Sequence, residues 1–391
     1  MLIVHIPSWY PNDSRPINGI FIKKQIEAIS EFDNNQHVVL NWHNTISYSL
    51  KNPIRFFREL ISSCLQFKVI KENKIEIIQF SYFHTYYPLF GDNDKRLQKK
   101  IIKIIDDLNS KTPIGLIHTH VTFPAGFIGK ILKTKLKIPY IISEHMGPFP
   151  FDGYKADLKN NIVDPIQNAN KVVAVSTFLA NEINFHTKAQ SIVVPNVIDE
   201  REFILSKKIN HEYFTFLFLG ALSHVKGVDI LIRAIAELKK YTDRKFIVKI
   251  VGNGDMKFDL QLLASNLNVD DYLDWQSGLD RKHVVKSISE TDCLVSASRH
   301  ESFGVAIVEA LACGKPVITT RSGGPSDTIN ELNGIFVEKE NPEELSKGML
   351  WMMKNIASFD PVLIRKNFEE KFSRKVIAEK YIEIYNEIIK D

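Results

Sequence analysis

The chain has 391 residues, of which 44% are hydrophobic and 25% are charged, a balance typical of a folded globular protein. This length exceeds one ordinary hydrophobic core, so two domains of about 200 residues are expected. The formal net charge is only +4, and nucleic acid is not an expected partner. The sequence contains no run of about 20 apolar residues, which a helix needs to span a bilayer.

The first residues and the cysteines indicate the compartment. The opening MLIVHIPSWYP has no basic leader and its apolar run ends at Pro7, so it is interpreted as a strand and not as a signal peptide. Cys64, Cys293 and Cys313 share no spacing typical of a disulfide framework or a metal site. A cytoplasmic location is therefore expected.

Short β-rich runs alternate with helical runs along the chain. The predicted strands are, in order, LIVHI, HVVLNW, IEIIQF, GLIHTH, PYIISEH, KVVAVS, SIVVP, FTFLFLG, FIVKIVG, YLDWQ, DCLVSAS and PVITT. Helical patterns such as FIKKQIEAIS and VDILIRAIAELKKY lie between many of them. This alternation predicts two parallel sheets covered by helices and joined near residues 196–206.

Two segments of the second half carry charged residues beyond the carboxyl ends of strands, where parallel sheets bind ligands. Lys226 lies in a glycine loop, residues 220–227, directly after the strand FTFLFL. Seven residues separate Glu301 from Glu309, and Gly304 between them precedes an apolar helical run. The start of that helix has unpaired N–H groups and suits an anion. Solvated surface charges are the alternative interpretation.

The sequence around these residues resembles a known family. VSASRHESFGVAIVEALACGKPVITT is similar to the signature of glycosyltransferase family 4, whose members are retaining enzymes of GT-B architecture. FLFLGALSHVKGVDILIRAIAEL, KIVGNGD, VVPNVID and the SGG of residues 322–324 resemble further family segments. The first half resembles the family more loosely, through HIPSWYPNDSRPINGIFIKKQ, IHTHVTFPAG and SEHMGP.

The resemblance implies an α/β protein of GT-B fold, with two Rossmann-like parallel-sheet domains facing across a cleft. Residues 1–200 would form the acceptor-side domain, and residues 201–372 would bind the nucleotide sugar. Residues 373–391 would form a terminal helix that packs back on the first domain.

The resemblance also assigns roles to particular residues. Lys226 would neutralise the diphosphate, Glu309 would bind the nucleotide ribose, and Glu301 would contact the donor sugar. The residues assigned to catalysis are Glu301, His145 and Lys226. Those assigned to donor binding are Gly19, Gly220, Lys226, Gly278, Leu279, Glu301, Ser302, Phe303, Gly304, Val305 and Glu309. Neither a cofactor nor a metal is expected.

One position departs from the family. The donor loop usually contains an arginine that assists the diphosphate, and this chain has Ala221 in its place. Four residues are candidates for the missing positive charge: Arg15, His224, Arg299 and Arg321.

Several residues of the first half have two interpretations. Gly19 either lets the backbone approach the donor phosphate or is an ordinary turn glycine. His145 is either the family histidine that reaches the donor sugar or a structural residue. His118 and His120 lie on one face of a predicted strand, but no Asp, Glu or His has the local spacing of a third metal ligand. An acceptor-side role for His120 is the other hypothesis.

The basic segment of residues 51–74 also has two interpretations. Its apolar residues at helical spacing are Phe57, Leu60, Ile61, Cys64 and Leu65. This stripe either contacts an anionic membrane, at the inner face of the cell membrane, or packs on its own domain.

The predicted function is retaining transfer of a sugar from a nucleotide-diphosphate donor to a hydroxyl of a glycan or lipid-linked acceptor, in polysaccharide or glycoconjugate synthesis. Because Ala221 replaces an arginine, a non-catalytic partner that binds nucleotide or glycan is the alternative. A nicotinamide oxidoreductase is disfavoured, because GNGDMK lacks the third glycine of the dinucleotide fingerprint.

Overall fold

The computed structural model describes residues 1–12, 17–47, 54, 67–85, 93–150, 156–205, 212–277 and 280–390. The chain forms two compact units. The first consists of Met1–Ala174, Glu182–Val194 and Ala378–Asp391, and the second of Val175–Asn181 and Pro195–Ile377.

Eight strands form the sheet of the first unit. They are β1 (Leu2–Pro7), β2 (Gln36–Ser47), β3 (Phe67–Glu72), β4 (Ile75–Thr85), β5 (Ile114–His120), β6 (Tyr140–Glu144), β7 (Lys171–Ala174) and β8 (Ser191–Val193). Their order is β3-β4-β2-β1-β5-β6-β7-β8, and all neighbours are parallel except β3 and β4. The strand order reverses between β1 and β5, which is where open α/β sheets bind ligands.

Six parallel strands form the sheet of the second unit. They are β9 (Phe214–Leu219), β10 (Phe246–Val251), β11 (Leu273–Gln276), β12 (Cys293–Ser296), β13 (Val317–Thr320) and β14 (Gly334–Val337). Their order is β11-β10-β9-β12-β13-β14, so the reversal lies between β9 and β12. The prediction of two parallel sheets is confirmed.

Twelve α-helices are described in these ranges. They are α1 (Ile20–Phe32), α2 (Asn93–Lys111), α3 (Phe127–Leu136), α4 (Ala156–Asn168), α5 (Thr177–Thr187), α6 (Val228–Leu238), α7 (Lys257–Asn266), α8 (Arg281–Ser289), α9 (Val305–Ala312), α10 (Pro342–Asn355), α11 (Pro361–Phe372) and α12 (Arg374–Lys390). No helix within the described residues combines the length and apolar character that crossing a bilayer requires.

Helices pack on the first sheet through apolar stripes at helical spacing. Ile22 and Ile26 of α1 are fully buried in one cluster with Val39 of β2. The terminal helix α12 buries two tyrosines, and Tyr381 Oη lies 3.0 Å from Ser143 Oγ of β6. The terminal helix therefore packs on the first unit, as the family resemblance predicts.

Two strands were not predicted from the sequence. The helical spacing noted in the basic segment of residues 51–74 covers Phe57 to Leu65, whereas Phe67–Glu72 near its end forms β3 and pairs with β4. A two-residue turn joins them, and Asn73 in that turn has a φ of 54°, a left-handed conformation that asparagine tolerates and that hairpin turns require. The predicted apolar stripe, from Phe57 to Leu65, lies outside the described residues. The other missed strand, β14, has only four residues.

Candidate functional site

Lys226 lies beyond the carboxyl end of β9, in the short 3-10 turn His224–Lys226. Gly227 follows with a φ of 64°, and a Cβ at this position would lie 2.0 Å from the carbonyl oxygen of Ala297. A side chain is therefore excluded both by the left-handed backbone and by the contact. Because Gly227 has none, the turn packs against the residues that follow β12.

Glu301 lies in those residues and pairs with Lys226. Lys226 Nζ donates to Glu301 Oε1 at 2.6 Å, and Ser298 Oγ donates to the same oxygen at 2.9 Å. The Glu301 backbone N–H donates to Ser322 O at 2.9 Å, and its carbonyl accepts from Gly324 N–H at 2.8 Å. The loops after β9, β12 and β13 thus meet at Glu301, where the sheet order reverses.

Helix α9 begins directly after the Glu301 loop, with Gly304 before its first residue, Val305. The first N–H groups of a helix lack partners within the helix, so they favour an anion at this place. Ser302 and Phe303 also have structural contacts. The carbonyl of Ser302 accepts from Ser176 Oγ at 2.6 Å, and the buried Phe303 ring lies edge-on to Phe372.

Glu309 is buried within α9 and pairs with a residue that was not predicted. Arg281 Nη1 donates to Glu309 Oε1 at 2.5 Å, and Arg281 Nε donates to Glu202 Oε2 at 2.8 Å. The guanidinium also lies 4.3 Å from the centre of the Phe203 ring. Burial raises the pKa of Glu309, and the Arg281 charge opposes part of that rise.

One sequence signal pointed to Arg281. Asp280 caps helix α8, because its side chain accepts from His283 N–H. Arg281 is therefore in the first turn, where the helix dipole disfavours a cation. Lys282 in the same turn is exposed, so this position alone could not identify the carboxylates that pair with Arg281.

Arg299, one of the candidates for the charge missing at Ala221, is held by two carboxylates. Its Nη1 and Nη2 atoms donate to the two carboxylate oxygens of Asp229 at 2.9 and 2.8 Å, and its Nε donates to Glu340 at 2.5 Å. Nη1 also donates to the His224 carbonyl at 2.6 Å. The charge of Arg299 is thus paired with Asp229 and Glu340, and Arg299 holds the turn that carries Lys226; its role toward a phosphate stays untested.

The other candidates for the missing positive charge, and the loop glycine Gly220, lie in the following surroundings. The Arg321 guanidinium lies 4.3 Å from the centre of the Phe336 ring, and the His224 side chain is exposed. The N–H of Gly220 donates to Val251 O at 3.1 Å. Three predicted residues lie outside the described residues: Arg15, Gly278 and Leu279.

In the first unit, Glu144 fixes the segment that carries His145. Glu144 Oε1 accepts from the N–H groups of His145 and Met146 at 2.8 and 2.9 Å, and Oε2 accepts from Thr122 N–H and Oγ1 at 2.9 and 2.6 Å. Burial raises the pKa of this carboxyl, and the four hydrogen bonds lower it in part. The His145 ring lies 5.0 Å from Phe21 and 6.1 Å from His120, measured between ring centres.

Gly19 has a structural explanation. Its φ is 70°, and a Cβ there would lie 2.5 Å from the carbonyl oxygen of Trp9. Its own carbonyl accepts from Ile22 N–H and Lys23 N–H in the first turn of α1. Gly19 is thus required by the backbone, and its role toward a donor phosphate stays a prediction.

The structure places His118 and His120 beside a histidine that sequence spacing did not connect to them. His5 of β1 contributes a third buried ring, and one nitrogen from each of the three residues lies within 4.8 Å of the others. No third ligand is visible near His118 and His120 in the sequence, because His5 is more than 100 residues away. Strand pairing between β1 and β5 brings them together.

Comparison with solved structures identifies the architecture. Sucrose-phosphate synthase from Thermosynechococcus elongatus superposes with a TM-score of 0.76, covering 100% of both chains at 17% identity. Anabaena HepE in complex with UDP superposes with a TM-score of 0.73, covering 99% of this chain and 100% of that one at 15% identity. These similarities show a GT-B fold.

Sequence comparison identifies the family. Residues 71–202 match the family described as Glycosyltransferase Family 4, and residues 199–370 match Glycosyl transferases group 1. An uncharacterized glycosyltransferase of Methanocaldococcus jannaschii is 32% identical over 302 residues, 73% of this chain and 79% of that protein. N-acetyl-alpha-D-glucosaminyl L-malate synthase of Bacillus anthracis is 25% identical over 82% of this chain and 84% of that protein. The chain belongs to the group 1, family 4 glycosyltransferases.

Proposed function

We propose that this glycosyltransferase takes a nucleotide-diphosphate sugar as donor and transfers the sugar, with retention of configuration, to a hydroxyl of a glycan or lipid-linked acceptor. The observation that carries the proposal is the pairing of Lys226 with Glu301 at the start of α9. A cation, a carboxylate and a helix N-terminus lie together where the sheet order reverses. Relatives support the donor class, because Anabaena HepE, with the same fold, has been solved in complex with UDP-glucose.

Each part of the donor has a proposed partner. The diphosphate binds Lys226 and the first N–H groups of α9, which stabilise the negative charge that develops on the leaving phosphate. Glu301 accepts hydrogen bonds from the sugar hydroxyls. Glu309 accepts from the ribose hydroxyls. Because a cation and helix N–H groups can stabilise the leaving group, we propose that no metal is needed.

Retention is proposed to occur on one face of the sugar. In this mechanism the bond from the anomeric carbon to the diphosphate oxygen breaks, and the acceptor oxygen forms the new bond from the same side. The departing phosphate takes the acceptor proton. His145 is proposed to contact the donor sugar, on the family resemblance, and His120 is proposed to lie on the acceptor side. Synthesis of a surface polysaccharide or glycoconjugate, with contact to an anionic membrane, is the proposed setting.

A screen of nucleotide sugars tests the proposal. A true donor at 100 times its dissociation constant stabilises the protein by about 2.7 kcal/mol. The same donor should then release nucleoside diphosphate slowly without acceptor, and excess chelator should leave this release nearly unchanged. NMR of the glycosylated product should show a retained anomeric configuration. Nucleotide binding without release would favour the non-catalytic partner that the loss of an arginine at Ala221 suggests, and an inverted product would exclude the one-face mechanism.

A further inference from the structure

Three buried histidines and one aspartate of the first unit form a continuous chain. His37 Nδ1 lies 3.0 Å from His5 Nε2, and His5 Nδ1 lies 3.2 Å from His120 Nε2. At the other end, His37 Nε2 lies 3.2 Å from Asp33 Oδ2, within ion-pair distance but not in hydrogen-bond geometry. None of the four residues exposes more than 4% of its surface. The chain is therefore shielded from bulk solvent.

The charge states of these residues limit where their protons lie. Burial lowers the pKa of His5 and His120 well below the usual value, so both rings are neutral and each carries one N–H. Burial alone would raise the pKa of Asp33, but the interaction with His37 and the hydrogen bonds from Asn35 lower it below the usual value. Asp33 is therefore a carboxylate, which accepts hydrogen bonds and donates none.

The protons then follow in order from Asp33. The relay takes His37 as a neutral ring with its proton on Nε2, the nitrogen that faces the carboxylate, so that Nδ1 accepts from His5 Nε2. His5 Nδ1 accordingly accepts from His120 Nε2. This sequence leaves Nδ1 of His120 without a proton. Among the described residues, that atom is buried and has no hydrogen-bond partner.

We propose that Asp33, His37 and His5 form a tautomer relay that keeps the proton of His120 on Nε2 and makes Nδ1 an acceptor for a ligand hydroxyl. His120 is the last residue of β5, beside the reversal of strand order between β1 and β5. Ligands of open α/β sheets bind at this place. That the hydroxyl belongs to a sugar acceptor rests on the proposed function, whereas the tautomer does not. His37, His5 and Asp33 are positioning residues, because they act through His120.

The geometry favours this relay over a metal site. Both ring nitrogens of His5 are used within the chain. Those of His118 face Tyr385 Oη at 2.6 Å and Ser143 Oγ at 2.8 Å. The rings of His118 and His120 stack with centres 4.0 Å apart. A metal ion would have to displace existing hydrogen bonds of His5 and His118.

The relay makes a specific prediction for Asp33→Asn. Asn35 donates to Asp33 Oδ1 through its backbone N–H at 3.1 Å and through Nδ2 at 2.9 Å. An asparagine at 33 would keep its carbonyl oxygen toward these donors and present its NH2 to His37. That NH2 can only donate, so every proton in the chain would move to the opposite nitrogen. The proton of His120 would then lie on Nδ1.

NMR of the full-length protein with 15N-labelled histidine tests the relay, because the ring spectra distinguish a protonated from an unprotonated nitrogen. In the wild type we expect the proton on Nε2 of His37, His5 and His120. In Asp33→Asn all three should switch to Nδ1. His118 is the internal control and should not change, because its partners Tyr385 and Ser143 are not in the chain.

Two results would overturn the relay: a wild-type His120 with its proton on Nδ1, or a folded Asp33→Asn variant in which His120 is unchanged. The wild-type spectrum alone decides the matter if the variant does not fold. If zinc abolishes the N–H signals of His5 and His120, and chelator restores them, the histidines form a metal site and not a relay. If the spectra show the expected tautomers in wild type and variant but no acceptor is glycosylated, the proposed function is wrong and the relay is still supported.

Discussion

Lys226 Nζ lies 2.6 Å from Glu301 Oε1, so the cation after β9 and the carboxylate after β12 form an ion pair at the reversal of the sheet. About a third of the Lys226 side chain is exposed, and little of the Glu301 side chain is. A diphosphate that binds Lys226 therefore competes with Glu301 for the ammonium group. Because of this competition, we expect substitutions of Lys226 and of Glu301 to change diphosphate affinity in different ways.

Glu301→Gln should lower turnover strongly without weakening nucleoside-diphosphate binding. The amide keeps the shape and can still accept from Ser298 Oγ, but it no longer neutralises Lys226. Diphosphate affinity should therefore stay the same or rise, while the contact to the donor sugar is weakened. Calorimetry with nucleoside diphosphate and initial-rate kinetics measure the two effects. Wild-type turnover in the folded variant would contradict the role of Glu301.

Lys226→Ala should reduce turnover by about 100- to 1000-fold, which corresponds to about 2.7–4 kcal/mol for the loss of one electrostatic contact in the transition state. Nucleoside-diphosphate affinity should fall as well, whereas affinity for the bare nucleoside should not. Lys245→Ala is the matched control, because Lys245 forms an exposed ion pair with Glu212. If Lys226→Ala keeps wild-type activity, a cation other than Lys226 binds the phosphates.

Ala221→Arg should be tolerated, because the Ala221 side chain is exposed. It restores the residue that the family usually has, so nucleoside-diphosphate affinity should rise. Combined with Lys226→Ala, it should recover part of the lost affinity, since a guanidinium can bind phosphate in place of the ammonium. Calorimetry of the single and double variants measures the recovery. No recovery would show that the loop after β9 differs from the family's course.

The sequence placed the Lys226 loop and the Glu301 loop at strand ends because their signals are local. A strand, a glycine turn and a lysine are adjacent in sequence, so strand order alone brings them to one edge of the sheet. The partner of Glu309 could not be predicted in this way. Arg281 is 28 residues from Glu309, and only the packing of α8 and α9 brings the two side chains together.

The same limit applies to the first unit. The alternation in HTH predicted that His118 and His120 share a strand face, and strand pairing adds His5. His37 joins the group because β2 is the other neighbour of β1. The pairing order of parallel strands is a property of the whole sheet, so no local pattern indicates which distant histidines meet. The sequence shows that Ala221 stands where the family usually has an arginine. It could not show that Arg299 forms ion pairs with Asp229 and Glu340.

Glu309→Ala should weaken nucleoside binding while sparing phosphate contacts. The carboxylate is buried and has a raised pKa, so its hydrogen bonds to ribose hydroxyls would be made out of water. Loss of such a contact to a charged group typically costs about 1.5–3 kcal/mol. Calorimetry with the nucleoside and with inorganic diphosphate separates the two contributions. If variant and wild type bind the nucleoside with equal affinity, Glu309 does not contact the ribose.

Arg281→Met should destabilise the protein in a pH-dependent manner. The guanidinium pairs with Glu309, which is 5% exposed, and its removal leaves Glu309 and Glu202 facing each other without a cation. Breaking a fully buried pair costs about 3–5 kcal/mol. Since 32% of the Arg281 side chain is exposed, we expect a smaller loss at pH 7, about 1–3 kcal/mol.

The sign of the pH dependence follows from Glu309. Burial raises the pKa of its carboxyl, and removal of Arg281 raises that pKa further, so the folded variant binds a proton that the unfolded chain has released. The free energy of unfolding of Arg281→Met should therefore fall as pH rises above the usual pKa of glutamate. Below that pKa the carboxyl is neutral in both states, and the difference from the wild type should shrink. Urea unfolding between pH 4 and about pH 8 measures this trend. Arg281→Lys keeps the charge and should lose less stability, and a difference that is independent of pH would show that Arg281 stabilises the fold by packing on Phe203 instead.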